Sequence, residues 1–183
     1  AAAVTINDAN GTAITAAELS AIGEKTTGTV TVTNAVAISG TEAEVTAALV
    51  TDGSKVEVSA ATVTISGNPS ITALNNIADE TTGVVTATLA ADSLSNLGSL
   101  STASTDVITV TVNDADDADV TASNLSTLGG KTAGTVTVTN AVAITGDHDQ
   151  VTAALVTDDT KVVASTAAVT INDANGTGIT ASE

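Results

Sequence analysis

The densest run of residues able to do chemistry is Asn113-Asp114-Ala115-Asp116-Asp117-Ala118-Asp119. Calcium takes six to eight oxygens from carboxylates, amides and carbonyls, and a turn of this composition could supply several of them. Asn7-Asp8-Ala9-Asn10 and Asn172-Asp173-Ala174-Asn175 repeat its opening. Asp8, Asp114, Asp116, Asp117, Asp119 and Asp173 are therefore the candidate metal ligands, forming a ladder of weak calcium sites. Neither the EF-hand loop nor the G-G-x-G-x-D repeat is present, and solvated Asx turns capping strands account for the same residues. No cofactor other than calcium suggests itself.

Asp147-His148-Asp149 holds the one imidazole, a ligand for a transition metal or simply a loop residue. Lys25 and Lys131 each precede a glycine turn, where they could pair with an acid of a neighbouring repeat for at most about 1 kcal/mol at a surface. A Ser–His–Asp triad would have to recruit His148, and no G-x-S-x-G elbow accompanies it. Paired carboxylates for glycoside hydrolysis are available among 21 acidic residues, but nothing marks one pair. The expectation is a protein that is not an enzyme.

Composition narrows the classes further. The chain of 183 residues has no Phe, Tyr, Trp, Cys or Met, a single Pro69, no Arg and a formal charge of −17. Without cysteine there is no disulfide framework and no thiol nucleophile. An acidic chain without aromatics lacks both the counter-charge and the stacking platforms that nucleic acids require. No apolar run approaches the roughly 18 residues of a membrane span, and the N-terminus carries no basic n-region. Abundant Thr, Val and Ile argue against disorder.

The elements that must position these residues are repeated. Gly28-Thr-Val-Thr-Val-Thr-Asn-Ala-Val-Ala-Ile38 recurs at Gly134 to Ile144, and Val45-Thr-Ala-Ala-Leu-Val-Thr-Asp52 at Val151 to Asp158, both offset by 106. At that offset roughly half of the overlapping positions match. A shorter unit lies inside, marked by Val-Thr segments at Val4, Val30, Val63, Val85, Val110, Val136 and Val169. The chain thus reads as one continuous array over 1–183, with a 106-residue super-repeat (1–106, then an incomplete 107–183), cut from a longer chain.

Each unit opens with strict alternation, as in Thr29-Val-Thr-Val-Thr33, the mark of a strand with one buried face. An Asn/Asp/Gly turn follows, then a short second strand such as Ala13-Ile14-Thr15 or Val36-Ala37-Ile38. Ala17 to Gly23 suits one helical turn or a bent third strand. These units predict an all-β chain, a parallel β-solenoid (β-helix) of about seven coils of roughly 26 residues. The alternative is two tandem immunoglobulin-like β-sandwiches, for which the length of the super-repeat is plausible. Ranks of outward threonines on a flat face would also suit ice binding, although plain β propensity explains them too.

Leu-Ser-x-Leu-Gly, Lys-Thr-x-Gly-Thr-Val-Thr-Val and Val-Thr-Ala-Ala-Leu resemble the repeats of very large surface and secreted bacterial proteins, of the marine cyanobacterial type. Those repeats are often labelled haemolysin-type calcium-binding or adhesin-like. The resemblance covers the whole chain and implies an extracellular or cell-surface location with an adhesive, structural or filament role. The expected function is a non-enzymatic structural repeat of a stalk, filament or surface protein. Self-association with copies of the same repeat, end to end or laterally, is the expected partnership. The alternatives are a calcium-dependent adhesin and an ice-binding module.

Overall fold

The computed structural model of the chain describes residues 1–175 and Gly178. They divide into two compact units, one of Ala1–Leu89 with Asp106–Ile108 and one of Ala90–Thr105 with the residues from Thr109 onward.

The first unit repeats a strand, a turn, a strand and a helix. Strand β1 (Val4–Ile6) leads through the Asn7–Gly11 turn to β2 (Ala13–Thr15) and helix α1 (Ala16–Gly23). Then come β3 (Val30–Val32), β4 (Ala37–Thr41) and α2 (Glu42–Val45), which runs on as a wider helical turn over Thr46–Val50. A tight turn at Asp52–Ser54 leads to β5 (Val56–Val58), β6 (Thr62–Ser66), α3 (Ile71–Asp79) and β7 (Val85–Thr88). Strands β1, β3 and β5 pair in parallel, with Val4 opposite Val30 and Val30 opposite Val56. Strands β2, β4, β6 and β7 form a second parallel set, with Ile14, Ile38, Val63 and Val85 in one row.

The second unit carries α4 (Leu94–Leu97), β8 (Val107–Val112, in this unit from Thr109), β9 (Asp119–Thr121) and α5 (Ala122–Gly129). It continues through β10 (Val136–Val138), β11 (Ala143–Gly146) and α6 (His148–Leu155) to β12 (Val162–Val163) and β13 (Ala168–Ile171). Val110, Val136 and Val162 form one parallel row, and Val120, Ile144 and Val169 the other. Alternation sets the burial. Val30 and Val32 point inward and are buried, while Thr31 between them is exposed. The aliphatic core is closed from the other side by helix residues such as Leu19, Leu74, Leu125 and Leu128.

The all-β expectation is overturned. Helix and strand occupy about equal shares, and the fold is mixed α/β with parallel sheets rather than a β-solenoid of seven coils. The reason lies in Thr15-Ala16-Ala17-Glu18. The extended Thr15 accepts the Glu18 N–H at its hydroxyl, and the Glu18 carboxylate accepts the Thr15 N–H at 2.9 Å. This reciprocal cap satisfies donors that a helix start leaves open, and it converts what reads as a single turn into an eight-residue helix. Thr41 with Glu44 and Asp147 with Gln150 do the same for α2 and α6. The sandwich alternative fails as well. Every strand pairing within each unit is parallel, whereas a sandwich is built from antiparallel strands.

The series of Val-Thr segments also needs correction. Val4, Val30, Val110 and Val136 belong to rows that begin each repeat, whereas Val63, Val85 and Val169 belong to the second-strand rows. Read row by row, the spacing is 26 from Val4 to Val30 to Val56, and 26 again from Val110 to Val136 to Val162. The interval of 33 from Val30 to Val63 comes from switching rows, whereas the 22 from Val63 to Val85 is a shorter step within one row.

Candidate functional site

The acidic turns are built twice in the same geometry, once in each copy of the super-repeat. In the first unit Asn34 donates from Nδ2 to the carbonyls of Asn7 (3.2 Å) and Asp8 (2.7 Å). Asn10 Oδ1 accepts the Ala35 N–H at 3.1 Å, and the Gly11 N–H donates to the Ala35 carbonyl at 2.8 Å. In the second unit Asn140 donates to the carbonyls of Asn113 (3.3 Å) and Asp114 (2.7 Å). Asp116 Oδ1 accepts from Ala141 N–H at 2.9 Å, and Asp117 N–H donates to the Ala141 carbonyl at 2.9 Å. Each turn is thus clipped to the corresponding turn of the next repeat by four hydrogen bonds.

Two of the candidate ligands in these turns, Asp114 and Asp116, are held through their side chains. Asp114 Oδ2 accepts the Leu94 N–H at 2.7 Å, just past the Ser93 hydroxyl that caps α4. Asp116 holds Ala141. Asp117 sits at φ +61°, the left-handed position that Gly11 fills at φ +76° in the first unit. Asp119 opens β9, its Cα opposite that of Ala143, and Asp8 is exposed. Among the described residues no three acids or histidines gather where one metal ion could be held.

Asp173 lies elsewhere, and the structure joins it to the other candidate. His148, the first residue of α6 after its Asp147 cap, brings Nδ1 to 2.8 Å from Asp173 Oδ1. Its Nε2 lies 3.3 Å from the exposed Asp149. Both His148 and Asp173 are largely shielded from water. The hydrogen bond from His148 holds the Asp173 carboxyl below the usual carboxylate range, against the opposing effect of its burial. Asp173 Oδ2 is buried with no hydrogen-bond partner. The pair ties the residues after β13 to the start of α6.

Other residues of consequence were missed from sequence, although signals were present. The Thr-x-x-Glu capping boxes at Thr15 and Thr41 are a readable motif. Asn34 and Asn140 end the same Thr-Val-Thr-Val-Thr-Asn string, yet nothing local says that their amides reach back 26 and 27 residues. Asp106 is buried and accepts the Val85 N–H at 2.8 Å, closing the edge of β7. The lysines end on carbonyls, Lys131 on Gly98 at 2.9 Å and Lys55 on Gly53 at 3.2 Å.

Two surfaces stand out by what is left uncovered. Strand β13 is an edge strand whose inward-facing Val169 and Ile171 are 46% and 48% exposed. At the start of the chain, β1 and β2 are edge strands whose Ile6 and Ile14 are half-buried, beside a shallow groove that Ala21 and Ile22 of α1 complete. Comparison of the chain with known protein families, with curated proteins and with solved structures gives no match.

Proposed function

We propose that the chain is a non-enzymatic structural repeat of an extracellular stalk, filament or cell-surface protein. One observation carries this reading. Asn34 and Asn140, and the turn residues Asn10 and Asp116, bind the backbone of the adjoining repeat, and they do so alike in both copies of the super-repeat. A side chain placed alike in two repeats, and occupied with the neighbouring repeat, serves cohesion. Coupling between adjacent repeats is how a repeat protein gains stability as units are added. The charge of −17 supports the same reading, because like-charged surfaces limit unspecific aggregation of such chains. The resemblance to bacterial surface repeats supports the location.

Thermal melting with millimolar calcium and with a chelator tests the proposal against the calcium-dependent adhesin. A cohesive repeat melts at the same temperature in both, because hydrogen bonds between repeats hold its turns without an ion. A melting temperature that rises with calcium, as mass action requires of a ligand that binds only the folded state, would replace this reading with the adhesin.

One observation favours a second reading, ice binding. The outward residues Thr15, Ser39, Thr64 and Thr86 stand opposite one another in successive strands, an unbroken rank of hydroxyls. Thermal hysteresis measured at millimolar protein decides it, and its absence removes this reading.

A further inference from the structure

The uncovered faces are exposed copies of faces that the chain buries elsewhere. Strand β6 has β4 on one edge and β7 on the other, with Val63 opposite Val85, and its Val63 and Ile65 are buried. Strand β13 is the same strand one super-repeat later, with Val169 and Ile171 in the places of Val63 and Ile65. It pairs with β11 on one edge and with no described strand on the other. At the β1 and β2 face of the first unit Ile6 and Ile14 are half-buried, while their counterparts Val112 and Val120 in the second unit are buried. Among the described residues both faces therefore have the residues of an interior layer with no strand laid against them, and an edge of this kind templates the addition of another strand.

We infer that two copies of this chain join head to tail, the β2 edge of one adding in parallel to the β13 edge of the other. The junction sets Ile14 opposite Val169 and Thr15 opposite Thr170. That is the rule of the existing rows, where Ile14 faces Ile38, Ile144 faces Val169, Thr15 faces Ser39 and Thr145 faces Thr170. Beside it β1 of the incoming copy meets β12, placing Val4 opposite Val162 as Val4 already stands opposite Val30. Charge agrees with this pairing. The exposed Lys161 immediately precedes β12, and Asp8 and Glu18 line the groove at the β2 face. Because the two faces differ, the contact is heterologous and leaves one face of each end copy free, so it can add further copies. The overall negative charge opposes the approach of two copies, so added salt strengthens the association. The inference deepens the structural-repeat reading and rests on it.

Sedimentation velocity over a concentration series of the whole chain tests it, with circular dichroism to show that each variant is folded. The chain is expected to associate increasingly with concentration, and more so at high salt. Ile14→Asp and Val169→Asp are each expected to weaken association by roughly tenfold or more. Each variant spoils one face and leaves the other intact. An equimolar mixture of the two is therefore expected to give dimers and nothing larger, a result that misfolded variants cannot produce. A monomeric wild-type chain at every concentration, assembly indifferent to both substitutions, or a mixture that stays monomeric overturns the inference. A wild-type monomer that associates once residues 176–183 are removed would assign the β13 edge to the chain's own end, and overturns it too. A calcium-indifferent monomer sinks this inference alone, whereas a chain that melts higher with calcium sinks the structural reading whatever its assembly.

Discussion

Gly23 and Gly129 offer the sharpest test of how the repeats fit together. Each is the last residue of a helix, α1 or α5, and a methyl group there would lie 2.0 Å from the Ser54 carbonyl oxygen or 2.1 Å from that of Thr160. Two opposing effects must be weighed. Alanine is the better helix former by about 1 kcal/mol, which would stabilise either variant. Against this, the obstructing atoms are backbone oxygens of tight turns, not the ends of flexible side chains, so relief requires the next repeat to move outward. Overpacking of that kind costs about 1–3 kcal/mol and sometimes more, and it also opens the apolar contact behind the turn. So close an approach to a backbone oxygen belongs at the upper end of that range, about 3 kcal/mol against the gain of about 1. The net expectation for Gly23→Ala is therefore a loss of about 2 kcal/mol, or a fall in melting temperature of roughly 4–8 °C for a chain of this size. Gly129→Ala should behave alike, and the double variant should lose the sum, because the two sites share no partner. Gly53→Ala is the control, since its nearest neighbour is 3.9 Å away. Urea titration followed by circular dichroism supplies the measurement. A Gly23→Ala protein as stable as the parent, or more stable, would refute the close approach of α1 to the Asp52–Ser54 turn.

Three further outcomes follow from the same geometry. Asp117→Gly should stabilise by about 0.5–1 kcal/mol, since it relieves a left-handed residue and removes one charge from an acidic run, whereas Gly11→Asp should destabilise; chemical melts of both variants check the opposite signs. Asn34→Ala and Asn140→Ala each remove two hydrogen bonds to carbonyl oxygens that water can reach and should cost about 1 kcal/mol apiece; equal stability of variant and parent in urea would remove the clip between repeats. The carboxyls of Glu18 and Glu44 are held low by the N–H and hydroxyl of their caps Thr15 and Thr41, and that of Asp92 by Asn96 and the Ser93 N–H. A lowered folded value means a contribution that is complete above the ordinary carboxylate range and lost as pH falls through the lowered values. Melting temperature should therefore hold from neutrality to about pH 5 and decline below roughly pH 4. The Glu18→Gln, Glu44→Gln double variant should decline less steeply, and an unchanged acid slope would count against the caps.

The strands were legible because alternation depends on adjacent residues alone. Thr29-Val-Thr-Val-Thr33 contains β3, Ala13-Ile14-Thr15 is β2 itself, and the repeat interval survives as the spacing between paired strands. The helices were not read at their full length. Ala17 to Gly23 is too short to hold a helix by propensity, and what holds α1 is a cap at Thr15 together with burial of Leu19 against strands from other repeats. The cap was readable and the burial was not. The work done by the acidic turns was not legible for a related reason. A run of acids shows how many oxygens are present but not which of them the next repeat already binds, and Asn140 and Ala141, which bind Asp114 and Asp116, lie some 25 residues away.

One heptapeptide shows where the limit lies. Val-Thr-Ile-Asn-Asp-Ala-Asn occurs at Val4–Asn10 and again at Val169–Asn175. The first copy forms β1, pairs with β3, and leaves the Asp8 side chain exposed while Asn34 holds its carbonyl. The second forms most of β13, pairs with β11, and buries much of Asp173 against His148. Identical residues therefore occupy different rows and give the same aspartate different work. Local propensity cannot separate them, because it is the same in both. The residues just before cannot either, since Ala2-Ala3 precedes Val4 as Ala167-Ala168 precedes Val169. Register is set by which neighbouring row offers matching aliphatics on the buried face, and a slip of one residue would turn Val169 and Ile171 outward and Thr170 inward. The role of an acidic residue in this chain thus follows from the strand beside it, and a motif can be transferred from one repeat to another only together with its partner.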